Sequence, residues 1–240
     1  TVLVRLAQGS GSGTVIYSEL NEEQEYESYV LTNYHVIQSS VKITKVWSSE
    51  KNEHVETENR RPVNIDLWEY NNFSTAIGTM GRIADIVAYD KSRDLALLRV
   101  KDRERQMSYV ATLYPEGLDE GPWIFQTVYA VGAGLGKPPF PTMGLLAGYS
   151  RDQDGNELYL SSSPIIFGNS GGSLYVFSPR RTYELIGVPS MVSAYGWGNV
   201  VSHMAWSRPI AEIRIFLREN KYGFILGDEP EPEEEDEDAS

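Results

Sequence analysis

The sequence predicts an all-β body with one helix near its C-terminal end. Three observations carry that prediction. Ten short stretches are rich in Val, Ile, Leu and Tyr, turn-forming clusters separate them, and only one segment spaces its apolar residues as a helix does. In chain order the stretches are GTVIYS, YVLTNYHVI, SVKITKVW, ADIVAY, LALLRV, WIFQTVYAVG, TMGLLAGYS, ELYLSSS, GSLYVF and YELIGVPSMV. The turns between them include NEEQ, DKSRD, DQDGN and SPRR, and the opening TVLVRLA also reads as a strand. Many short strands joined by short turns fit a sandwich or closed barrels. The helical segment is SRPIAEIRIFLREN, with Ser207 placed to cap it, Pro209 suited to a first turn, and Ile210, Ile213 and Leu217 on one face. A more polar stretch from about Ser48 to Thr79 reads as an extended hairpin or surface insertion.

Composition narrows the classes of function. The chain has 240 residues, 41% of them hydrophobic, enough to bury a sizeable core. No apolar run approaches the roughly 20 residues that span a bilayer, and no signal-peptide pattern opens the chain. Cysteine is absent, which removes disulfides and thiolate metal sites. The net charge of −13 is concentrated at the end, where DEPEPEEEDEDAS holds nine acidic residues; without them the rest stands near −4. Residues 228–240 therefore read as a disordered acidic tail, a solubilising end or a contact for a basic protein partner. No basic patch points to nucleic acid.

Chemistry is suggested by three blocks. GNSGG places Ser170 between glycines. Only three histidines exist, His35, His54 and His203, and His35 lies in TNYHV. Asp94 stands in RDLALL, between a polar turn and a strongly apolar strand. In the order His, Asp, Ser, separated by 59 and 76 residues, these blocks resemble the chymotrypsin-fold serine proteases, closest to the cysteine-free bacterial Deg/HtrA type. The resemblance runs over roughly residues 1–220, and its motif style suggests a bacterial or phage source. It implies two six-stranded antiparallel β-barrels within a protease domain of residues 1–227, their boundary near 105–120 and the site in the cleft between them. It also implies serine endopeptidase activity on polypeptide substrates, without metal or cofactor.

In that frame a serine hydroxyl needs an adjacent base, which His35 supplies, while Asp94 fixes the imidazole tautomer. The backbone N–H groups of Gly168 and Ser170 would form the oxyanion hole. Asn169 stands where trypsin-like zymogens carry an Asp, so activation by a newly cut amino terminus is not expected. By alignment the specificity pocket takes Pro164 at its base, Ser190, Met191 and Val192 along one wall, and Ser202, His203 and Met204 along the other. No carboxylate is among them, so a small or medium apolar side chain is expected before the scissile bond; His203 is expected to be a satisfied structural histidine.

GNSGG also satisfies the G-x-S-x-G elbow of α/β-hydrolases, but that fold needs acid and then histidine after the serine on alternating strands and helices. Only Glu184 and His203 follow, and the helices are missing. VGAGLG lacks the Gly-Lys-Ser/Thr ending of a phosphate loop and reads as a strand end and turn. GSGSG near the start reads as close backbone packing beside the His35 loop.

Overall fold

The computed structural model describes the chain except for residues 8, 50–51, 73–74, 118–121, 197 and 230–240. Its first half runs β1 (Val2–Leu6), β2 (Gly9–Leu20), β3 (Tyr26–Thr32), the short helix α1 (Tyr34–Ile37), β4 (Val41–Ser48), β5 (Glu53–Arg60), β6 (Val63–Asn71), β7 (Thr75–Asp90) and β8 (Leu95–Asp102). The second half runs β9 (Thr112–Leu113), β10 (Thr127–Gly132), β11 (Phe140–Arg151), β12 (Glu157–Ser161), β13 (Ser173–Phe177), β14 (Tyr183–Tyr195), β15 (Asn199–Pro209) and α2 (Ile210–Glu219). Strands β1, β2, β3, β8, β7 and β6 close in that order into an antiparallel barrel. Strands β10, β11, β12, β15, β14 and β13 close a second antiparallel barrel, and β9 joins it parallel to β14.

The apolar run Leu95–Leu98 shows why β8 lacks polar alternation. Ala96 and Leu98 point into the first barrel's core with Val4, Val30 and Ile65, while Leu95 and Leu97 join a second cluster with Leu146, Leu174 and Ile186. Strand β8 is therefore buried on both faces, which selects apolar residues at consecutive positions. Leu31, on β3, reaches the same cluster across the barrel contact. Leu97→Ala is expected to lower stability by about 2–5 kcal/mol, because it opens a cavity where the barrels meet; chemical denaturation measures it.

Two local expectations change. The polar stretch from Ser48 to Thr79 divides: β4 and β5 form a separate exposed hairpin from Val41 to Arg60, whereas β6 and β7 are full members of the first barrel. In β6, Val63 and Ile65 enter the core, and the buried carboxylate of Asp66 is paired with Arg5 at 2.9 Å. Polar composition masked barrel strands because that buried acid has a partner. Ser207 does not cap the helix. It lies in β15, paired with Tyr159 and Pro189, and Pro209 takes the N-cap position. Sheet pairing carries the chain two residues further before the helix begins. The face Ile210, Ile213, Phe216 and Leu217 is then buried against the second barrel.

Among the described residues no helix is long and apolar enough to cross a membrane. Asp228 pairs with Arg218 at 2.8 Å, and residues 230–240 of the acidic tail lie outside the described part.

Candidate active site

His35 and Asp94 come together at one end of the first barrel. His35 follows β3 on α1, and Asp94 closes the turn between β7 and β8. The His35 backbone N–H, left without a partner within the helix at its first turn, donates to Asp94 Oδ1 at 2.9 Å. Asp94 Oδ2 lies 2.8 Å from His35 Nδ1. Both carboxylate oxygens are thus committed to one residue. Asp94 holds a left-handed backbone with φ 51°, a conformation that Asp tolerates better than most side chains.

Ser170 sits on the loop between β12 and β13 of the second barrel. Its hydroxyl donates to the Ser190 carbonyl at 3.3 Å and makes no hydrogen bond to His35 among the described residues. The loop is fixed from beneath. Leu135 N donates to Phe167 O at 2.8 Å, and a trans peptide then aims the Gly168 N–H the opposite way. Neither Gly168 N–H nor Ser170 N–H has a hydrogen-bond acceptor among the described residues. Gly168 adopts φ 98°, and a Cβ there would stand 2.7 Å from Ala133 O. Asn169 is buried; its Oδ1 accepts from Ile166 N at 3.2 Å, so its side chain serves its own loop.

Two polar residues to which the sequence assigned no role, Ser12 and Asn33, bind the two halves together, and Thr32 braces Ser12 within the first half. Ser12, on β2, donates to Gly168 O at 2.6 Å and accepts from Ala133 N at 2.7 Å, while its own N–H donates to Ser170 O at 2.7 Å. Thr32 Oγ1 donates to Ser12 O at 2.7 Å. Asn33 is fully buried and donates through Nδ2 to Asp94 O at 2.8 Å and to Ser190 Oγ at 2.7 Å. It occupies the N-cap of α1 without capping it: its NH₂ group is turned to Asp94 O and Ser190 Oγ. The only sequence signals for these residues were TNYHV and GSGSG. In the latter, Gly11 leaves room that a Cβ would take from Val36, 2.6 Å away, and from Ser170 O, 3.1 Å away.

The residues aligned to a specificity pocket lie around this loop. Ile165 N donates to Ser202 O at 3.0 Å and Pro164 O accepts from Thr142 Oγ1 at 2.7 Å, which places the Pro164 segment beside β15. Ser190 is buried next to Ser170, Val192 is half-buried, and Met191 is exposed. Ser202, His203 and Met204 occupy the irregular part of β15, between its pairings with Val192 and Ser193. His203 is exposed and has no hydrogen bond or ion pair among the described residues, so it is not a satisfied buried histidine. The bulge turns its side chain to solvent instead of into the sheet.

Beside His35, Tyr34 packs on Tyr89 with ring centroids 5.1 Å apart. Burial, then the hydrogen bond to the Glu58 carboxylate, push the Tyr89 phenol up to about 12. It stays protonated near neutral pH.

Two six-stranded antiparallel barrels followed by a helix define the chymotrypsin-like fold. The chain belongs to the trypsin-like peptidase domain family, whose model matches residues 11–187. No curated protein matches its sequence. Among solved structures it is similar to the HtrA-type protease AlgW with tripeptide, at 19% identity and TM-score 0.61, covering 93% of this chain and 60% of that one. It is also similar to Deg5, at 20% identity and TM-score 0.57 over 88% of this chain and 84% of that one. A third is the serine endoprotease from Yersinia pestis, at 18% identity and TM-score 0.57 over 91% and 61%. The chain thus spans about three fifths of two of these proteins.

Proposed function

We propose that the chain is a serine endopeptidase acting through Ser170, His35 and Asp94. The observation that carries this reading is the double hydrogen bond from His35 to Asp94, paired across the cleft with a serine loop whose two N–H groups are unoccupied. With Asp94 accepting from Nδ1, the Nε2 of His35 is the free acceptor. To reach that nitrogen the Ser170 hydroxyl would have to leave Ser190 O, by a turn about its Cα–Cβ bond. Apo catalytic hydrogen bonds are often unmade until substrate arrives.

Ser170 Oγ then attacks the substrate carbonyl carbon as its proton passes to His35. The oxyanion forms against Gly168 N–H and Ser170 N–H, each such donor being worth roughly 10²–10³ in rate. Collapse of the intermediate expels the amine, which takes the proton from His35, and water releases the acyl group by the reverse roles. Pro164, Ser190, Met191, Val192, Ser202 and His203 would shape the pocket. None carries a carboxylate, which supports preference for a small or medium apolar side chain.

A second reading keeps the fold as a gated or silent binding module, its acidic tail engaging a basic protein. The Ser170 hydroxyl turned to Ser190 favours it. One experiment separates the two. Fluorophosphonate should label the wild type and not Ser170→Ala. A folded wild type that stays unlabelled would overturn the peptidase reading in favour of the binding module.

A further inference from the structure

Asp94 belongs to the first barrel, yet the second barrel and its helix hold the turn that carries it. Arg93, the preceding residue, is 19% exposed in its side chain and shared among three carboxylates. Its Nη1 donates to Asp90 Oδ2 at 2.6 Å and to Glu219 Oε2 at 2.8 Å, and its Nε donates to Glu212 Oε2 at 3.0 Å. Glu212 and Glu219 lie two turns apart on one face of α2. Glu212 is itself buried, and its other oxygen accepts from Glu157 N at 2.8 Å, so it cannot follow a moving turn.

Ser92 is gripped from the same side. Its carbonyl accepts from Asn156 Nδ2 at 3.1 Å and from Arg208 Nη2 at 3.4 Å. Arg208 is buried and paired with Asp152 at 2.6 Å.

This clamp has a specific task. Asp94 sits in a left-handed conformation, and such conformations persist where the surroundings over-determine them. Its two oxygens meet two different donors of His35, so a small rotation of the turn breaks one bond or both. A lone exposed ion pair would be too weak and too screened to prevent that, whereas a half-buried guanidinium shared among three carboxylates, one of them the buried Glu212, is held more stiffly.

We infer that Arg93 is a positioning residue for the His35–Asp94 pair: it transfers the frame of the second barrel and α2 to an acid carried by the first. The inference rests on the role given to Asp94 above. It is tested on the full chain with Arg93→Ala and Arg93→Lys, by two readouts. One is the far-downfield proton resonance of His35 Nδ1–H, assigned by its loss in Asp94→Ala. The other is the rate of fluorophosphonate labelling.

In Arg93→Ala the resonance should broaden or vanish, and labelling should slow on the order of 10- to 100-fold, as expected for a small misplacement of a catalytic group. Arg93→Lys should fall between, because one ammonium keeps the charge but cannot span three carboxylates. A folded Arg93→Ala with an unchanged resonance and wild-type labelling would overturn the proposal. Should that variant not fold, Arg93→Lys decides: a wild-type resonance and labelling rate overturn it, and a broadened resonance with slower labelling supports it. A wild type that shows the Asp94-dependent resonance, loses it in Arg93→Ala, yet never labels would sink the peptidase reading and leave the positioning role intact.

Discussion

Asp94→Asn is expected to lower kcat about 10⁴-fold while leaving the fold in place. The geometry explains so large an effect from so small a change. One oxygen of Asp94 accepts the backbone N–H of His35, which is always a donor. An asparagine must therefore keep its own oxygen there and turn its NH₂ toward Nδ1. That forces Nδ1 to accept, moves the ring proton to Nε2, and points a donor at Ser170 where a base is required. Turnover of a peptide substrate and thermal unfolding, measured on the same preparation, check the prediction. Wild-type kcat in a folded variant would show that Asp94 does not set the tautomer.

Gly168→Ala should cost roughly 10²–10³ in the rate of acylation and about 1–3 kcal/mol in stability. At φ 98° an L side chain is strained, and here the added Cβ also meets backbone: Ala133 O at 2.7 Å and Leu135 N at 2.9 Å. Backbone cannot move aside as the tip of a flexible side chain can. The 167–168 peptide must turn, breaking the Leu135 N to Phe167 O bond, and the Gly168 N–H leaves the cleft. Fluorophosphonate labelling kinetics read the first effect and the unfolding midpoint reads the second. Labelling at the wild-type rate would remove Gly168 from the oxyanion hole.

Much of the fold was legible because burial leaves a plain mark on strands. The run LALL is apolar at every position because both faces of β8 are covered, and Ile210, Ile213 and Leu217 mark the buried face of α2. Strand β6 and the first part of β7 were harder to read. Asp66 enters a buried site with Arg5 as its partner, and that pairing makes a core strand look like a polar insertion. The helix start was misplaced for a related reason: Ser207 has the chemistry of a cap, but its pairing with Tyr159 and Pro189 outweighs local preference.

The sequence by itself determined the residue types and their order: a lone serine among glycines, a histidine after Thr-Asn-Tyr, and an acid at the mouth of an apolar strand. It also determined that no thiol chemistry is available. Only the tertiary structure decided the contacts that make a site of them. Asn33 bridges Asp94 to Ser190, Ser12 fixes the loop of Ser170, and Arg93 ties the Asp94 turn to α2. These partners lie 61 to 157 residues apart in the chain. A hydrogen bond across such a separation leaves no periodicity in the sequence. It depends on the meeting of two barrels, which no local segment encodes.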